Sequence, residues 1–198
     1  MLSYLPASSL MPRLRASSLL ISEPFLGDPN FQRTVVLICR HDEADGTFGL
    51  VLNRSTELRL GDVLELPEGA SSALAAAPLL LGGPVQPDTL HFLHQRPDIP
   101  EAVDLGQQVY WGGDFGVLLG LLLSGELAPD AVRFYAGYSG WTAGQLATEV
   151  GENVWIVHPN AAGKVFTLSN NAFWQAILRE KGGRYRALSN YPSDPRLN

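Results

Sequence analysis

"AVRFYAGYSGWTAGQLATEV", residues 131–150, decides between two folds. If Ser139 sits on a nucleophile elbow, the chain is an α/β hydrolase. If it does not, the stretch is a strand that turns through a glycine corner into a helix. The elbow pattern G-x-S-x-G needs a glycine on each side of the serine so that a strained turn can lift the hydroxyl above the sheet. Gly137 is in place, but Gly140 comes one residue early and Trp141 stands where the second glycine belongs. A triad in hydrolase order also needs an acid and then a histidine after the serine. His158 is the one downstream histidine, and Glu149 and Glu152 precede it too closely for an ordinary acid-bearing loop. The corner is therefore the better reading. Residues 131–137 form a strand and 142–150 a helix, with Thr142 and Gln145 spaced as a capping box.

Working outward, "SSLLIS" (17–22) reads as a buried strand. "RTVVLICR" (33–40) and "TFGLVLN" (47–53) read as an antiparallel pair joined by the polar loop "HDEADG". "GDVLEL" (61–66) is at best a short helix, and "EGASSALAAAP" reads as a mobile connection. "PLLLGG" (78–83) and "TLHFLHQ" (89–95) are strands, and "QQVYW" (107–111) enters a second Gly-Gly step. Asp114 is placed to cap a helix that runs to Ser124 and stops at Gly125. "NVWIVHP" and "KVFTLS" read as strands. The last helix starts near Asn171 and packs through Phe173, Trp174, Ile177 and Leu178. Hairpin connections mixed with strand-to-helix steps, without a regular βαβ rhythm, predict an α+β protein. We expect a single compact domain over 17–182, with an N-terminal extension (1–16) and a C-terminal tail (183–198).

Apolar residues make up 45% of the 198 and charged residues 17%, enough apolar mass for a real core. The net charge of −6 is uneven: residues 41–170 carry five basic side chains against sixteen acids. An acidic centre opposes duplex binding, which gains affinity by neutralising phosphates. "REKGGRYR" (179–186) is the one compact basic stretch, and it reads as a solvated helix end. No helix-turn-helix pattern is visible. Cys39, the single cysteine, lies in an apolar run and reads as a small buried hydrophobe in a reducing compartment. No secretory leader is evident, and "FGVLLGLLLSG" is about half the ~20 residues a membrane-spanning helix needs. The expectation is a cytoplasmic protein.

Other chemical motifs fail in detail. "AAGKV" lacks the flanking residues of a phosphate loop, because His158 and Val165 stand where Gly and Ser or Thr are required. His91 and His94 are three apart on a strand and so point to opposite faces, which excludes a shared metal ion. No cofactor is expected. What remains is a ligand site at the helix start after Trp141, where free amides favour an anion. Its candidate residues are Asn53, Arg54, Gly82, Gly83, Tyr138, Ser139, Gly140, Trp141 and Thr142.

Several ordered stretches carry a resemblance: "LLISEPFLGDPNFQRTVVLICRH", "GTFGLVLNR", "LGDVLEL", "LLLGGPVQPDTLHFLH", "VYWGGDF", "RFYAGYSGWTAGQLATEV" and "NVWIV". Together, over about 17–180, they resemble the AlgH/YqgE-like family of bacterial proteins. One departure is Ser55, where the family usually has proline after "LNR". The resemblance implies a compact α+β fold whose mixed, mostly antiparallel sheet curls towards a pseudo-barrel with helices packed on it. It also brings the label of transcriptional regulator, from a genetic association with alginate control, and no established catalytic or DNA-contacting residues. Set against the acidic centre, that label implies indirect regulation through a protein partner or a small anionic ligand. Two alternatives stand beside this non-catalytic reading. One is an enzyme or nucleotide-binding protein using the helix start after Trp141. The other is a direct DNA binder using the basic C-terminal end.

Overall fold

The strand that contains Ser139 is the hub of the molecule. In a computed structural model describing residues 13–159, 161–168 and 172–191, β9 (Val132–Trp141) pairs with three other strands. They are β3 (Gly46–Val51), β5 (Pro78–Leu81) and β6 (Val85–His94). The remaining strands are β1 (Leu19–Ser22), β2 (Val35–Asp42), β4 (Ser55–Arg59), β7 (Val103–Asp104), β8 (Tyr110–Trp111) and β10 (Trp155–His158). The ladder runs β10-β1-β2-β3-β9-β6-β8-β7, with β4 and β5 branching from β9. Every pairing is antiparallel except β5 with β9. The path is open: the sheet curls but does not close into a barrel.

β2 and β3 form the expected hairpin, with an irregularity between Ile38 and Arg40. Three apolar clusters fill the fold. The largest joins β1, β2, β3 and β9 to α5 (Phe173–Lys181), through Leu19, Leu37, Leu50, Tyr135, Phe173 and Trp174 among others. All four residues expected on the packing face of this helix are buried, while the expected start at Asn171 falls outside the described residues. On the opposite face of β1–β3, α4 (Gln145–Gly151) inserts Leu146 beside Trp141 and Trp155. The third cluster lies under α1 (Leu60–Val63), α2 (Ser72–Ala75) and α3 (Phe115–Ser124). α3 has the expected ends: the Asp114 side chain accepts the Val117 amide, and Gly125 terminates it in the left-handed conformation.

Four local expectations are corrected. The stretch read as a mobile connection contains α2, because Ser71 accepts the Leu74 amide and Leu74 is then fully buried. "KVFTLS" is not a strand: Ala162–Phe166 is a 3₁₀ turn with Ala162 and Val165 buried and the Gly163 amide held by Gln107. The tail expected from 183 begins as a helix, α6 (Gly183–Leu188). The strand expected to end at Gly137 continues to Trp141, so the turn into α4 lies at 142–144.

Candidate functional site

Tyr135 of β9 pairs with Leu80 of β5 and also with His91 of β6, so these two strands occupy opposite edges of β9. The chain between them, Gly82–Gly83–Pro84, must therefore pass over β9. It does so backbone against backbone. The Gly82 amide still donates to the Ala136 carbonyl at 2.8 Å, and by Val85 the chain pairs with Tyr138 on the far edge. A Cβ on Gly82 would strike the Gly137 carbonyl, and one on Gly83 would strike the Tyr138 carbonyl and the Ser139 hydroxyl. Gly137 itself has φ +64°, and a Cβ there would lie 2.8 Å from the Gly83 and Val85 carbonyls. The glycines of "LGGP" and "AGYSG" are thus two halves of one crossing.

Ser139 belongs to that crossing. It is fully buried, and its hydroxyl donates to the Gly82 carbonyl at 3.1 Å, an oxygen that also accepts the Val51 amide at 2.8 Å. All four histidines are engaged elsewhere: His41 with Thr47, His91 with Thr89, His94 with the Gly112 carbonyl, and His158 beside Glu180. Because Gly82 keeps a second donor, Ser139→Ala should cost about 1 kcal/mol, the usual worth of one buried hydrogen bond. Urea unfolding measures it, and any ligand affinity should be unchanged.

The other nominated residues divide. Asn53 accepts the Val35 amide and donates to the Arg33 carbonyl, both at 2.9 Å. Arg54 donates to the carbonyls of Pro29 and Gln32. Both side chains therefore brace the 29–35 turn. The Tyr138 ring stacks on Phe48 at 4.5 Å, and Gly140 lies exposed against it. The expected capping box is half present: the Thr142 amide donates to Gln145 Oε1 at 3.0 Å, but the Thr142 hydroxyl also points at that oxygen, and the cap residue is Gly144.

Sequence reasoning weighed Glu149 only as a triad acid and missed its role between two indoles. Its Oε2 accepts the indole N–H of Trp141 at 2.9 Å and of Trp155 at 2.7 Å, while Oε1 accepts from Gln145. One carboxylate thereby ties α4 to two strands. The signal in the sequence is weak, since Trp141 and Trp155 lie on opposite sides of the helix that carries the acid.

Thr142 opens onto a cleft of about 440 Å³ between the β2–β3 turn and the start of α4. Leu14, Leu146 and Val150 give it apolar surface, and His41, Thr142 and Arg13 supply polar groups. The Asp42 carboxylate on its rim accepts the Ala44 and Asp45 amides, which hold it below the ordinary carboxylate range. A larger cavity of about 820 Å³ lies between α2, β5 and residues 129–133. Alanines and prolines supply much of its wall, its Arg133 donates to the Leu168 carbonyl, and none of the nominated residues reaches it. Among the described residues no cluster of three or more His, Cys, Asp or Glu is arranged to hold a metal, and no helix is long and apolar enough to cross a membrane. Burial pushes the Cys39 thiol far above its ordinary range. In the basic C-terminal stretch, Lys181 donates to the Val157 carbonyl, and both Lys181 and Arg184 lie over the Tyr185 ring.

Burial is the leading cause that lowers the affinity of His91, His94 and His158 for a proton. His94 is fully buried, with one ring nitrogen accepting the Arg96 amide and the other donating to Gly112, a pair of bonds that fixes it as neutral. An unfolded chain protonates these rings more readily than the folded one. Their contribution to stability is therefore complete above about pH 6.5 and is lost as pH falls through the folded values. Urea midpoints at pH 8 and pH 5 should show the loss, and His94→Gln should flatten the slope.

Comparison with known proteins places this architecture. A family model described as AlgH-like matches residues 19–186. The UPF0301 protein of Cytophaga hutchinsonii is 43% identical over 187 residues, covering 93% of this chain and 100% of the relative. That of Chlorobium limicola is 40% identical over 187 residues, covering 94% and 97%. The solution structure of the AlgH protein from Pseudomonas aeruginosa is similar over 97% of this chain and 98% of its own, with TM-score 0.70 and 28% identity. A crystal structure from Corynebacterium diphtheriae shares the fold, with TM-score 0.71, 21% identity, and 90% and 93% coverage. With the family model spanning most of the chain and such relatives matched almost end to end, the chain belongs to the AlgH-like family.

Proposed function

We propose that this is a non-catalytic cytoplasmic binding protein whose regulatory effect is indirect, exerted through a protein partner or a small ligand received in the cleft beside Thr142. One observation carries this reading. The polar side chains that could have served chemistry at the glycine corner, Ser139, Asn53 and Arg54, are bonded to the protein's own backbone. The cleft presents the Thr142 hydroxyl and the His41 imidazole beside apolar surface, and each of these two groups is held by a neighbouring side chain, Gln145 and Thr47, with hydrogen-bonding capacity left over. Such a mixture suits a small ligand with an apolar body and one hydrogen-bonding end. Asp42 and Glu43 on the rim offset Arg13, so the charge there does not select an anion over a neutral molecule.

A thermal-shift screen of nucleotides, phosphorylated metabolites and neutral metabolites tests this, because a ligand selective for the folded form raises Tm by mass action. The expected hit loses its shift in His41→Ala and Thr142→Val, is recovered chemically unchanged, and leaves the Tm of each free variant near that of the parent. A hit that survives both substitutions, or is converted to product, overturns the reading. Direct regulation makes a separate demand: duplex DNA should then bind at low salt with a steep salt slope that disappears when the chain stops before Lys181. The binding-protein reading expects no such shift.

A further inference from the structure

The cleft beside Thr142 is built partly from the point where the described residues begin. Arg13 and Leu14 stand in its wall, together with Leu146, Ala147 and Val150 of α4. Leu14 is half-buried and packs on the same core cluster as Leu146 and Val150, so the chain is anchored at the cleft itself. Twelve residues precede Arg13, "MLSYLPASSLMP", and they lie outside the described residues. They include no Asp, Glu, Lys, Arg or His, and Leu10 and Met11 stand four and three residues before Leu14. Four residues of extended chain span at most about 14 Å. Both apolar side chains are therefore held beside the cleft whatever course the rest of the segment takes.

We propose that Leu10 and Met11 occupy this cleft and that a ligand enters only when they leave. The competition rests on the function proposed above, whereas the contact itself does not. Continuity with the wall selects this occupant. A tether of so few residues presents the pair at an effective concentration on the order of millimolar, so even a weak contact is populated. Burial in the cleft removes apolar surface from water on both sides, on Leu10 and Met11 and on Leu14, Leu146 and Val150. Charge matches as well. Arg13 is offset by Asp42 and Glu43 on the rim, so an uncharged segment forfeits nothing by entering. The two polar groups there, His41 and Thr142, keep Thr47 and Gln145 as partners beneath it. A ligand with one hydrogen-bonding end would add a bond that Leu10 and Met11 lack, which is what lets it displace them.

Hydrogen exchange of the full chain tests the contact, because amides under a docked segment open less often than the same amides uncovered. Leu10→Ser with Met11→Ser should speed exchange about threefold or more over 42–47 and 142–150, with circular dichroism unchanged. Leu2→Ser, at the far end of the segment, should leave both stretches at the parental rate. The dye anilinonaphthalene sulfonate, an apolar body with one polar end, reads the competition. It should bind the double variant about threefold or more tightly than the parent, and Ala147→Trp, which fills the cleft from α4, should abolish that gain. Equal exchange in parent and double variant overturns the proposal, whatever the thermal-shift screen finds. So does protection that grows with protein concentration, which would hand the segment to a second copy, or a gain in dye binding that survives Ala147→Trp. Faster exchange in the double variant beside an empty metabolite screen supports the contact and counts against the proposed function alone.

Discussion

Gly83→Ala should lose roughly 3 kcal/mol of stability or more, the upper end of what overpacking costs, because the clash cannot relax. The added methyl would meet the Tyr138 carbonyl and the Ser139 hydroxyl. Both belong to a strand held by partners on each edge, so neither can retreat without breaking the ladder. For a protein of this size such a loss corresponds to a fall in Tm of about 10 °C. Calorimetry of Gly83→Ala beside Gly27→Ala makes the comparison clean. Gly27 has open space around it and no left-handed φ, so its alanine variant should melt within a degree or two of the parent. Equal melting of the two variants would remove the crossing as the reason for the paired glycines.

The second large effect is expected at Glu149. Glu149→Ala strips the acceptor from two buried indoles at once, and each donor left without a partner costs about 1–3 kcal/mol. A total near 3 kcal/mol should appear in urea unfolding, with a change in tryptophan emission, since two of the four tryptophans lose a charged partner. Glu149→Gln keeps one oxygen and should fall between. A double-mutant cycle with Trp155→Phe isolates one of the bonds, and a coupling near zero would show that α4 is held by Leu146 instead.

Local signals account for what the sequence made readable. The β2–β3 hairpin announces itself because both strands and their polar turn are contiguous. The ends of α3 are likewise written in residues that touch one another, Asp114 with Val117 and Gly125 with the last turn. Illegible elements depend on distant partners. α2 exists because Leu74 has a core to enter, whereas its own residues, mostly alanine and serine, announce little. The segment 162–166 looks β-like by composition but is turned by the burial of Val165 and by Gln107, more than fifty residues away. The candidate site was harder still. Gly137 and Gly140 read as a corner between strand and helix, whereas they lie within β9, and their close backbone contact depends on β5 and β6 lying on opposite edges of that one strand, which no local signal shows. Nor could the cleft beside Thr142 be seen, because Arg13, His41 and Val150 come from three separate parts of the chain.

The position of β9 has a further consequence during synthesis. Three strands, β3, β5 and β6, await a common partner that ends at Trp141. At ~5–20 residues per second, β3 leaves the ribosome on the order of 5–20 s before that partner is complete. Throughout that interval the ladder groups of β3 on the β9 side are open to other chains, and those of β5 and β6 for the later part of it. A nascent molecule of this design should lean on chaperones until the hub strand arrives, and truncation before residue 141 should yield aggregate.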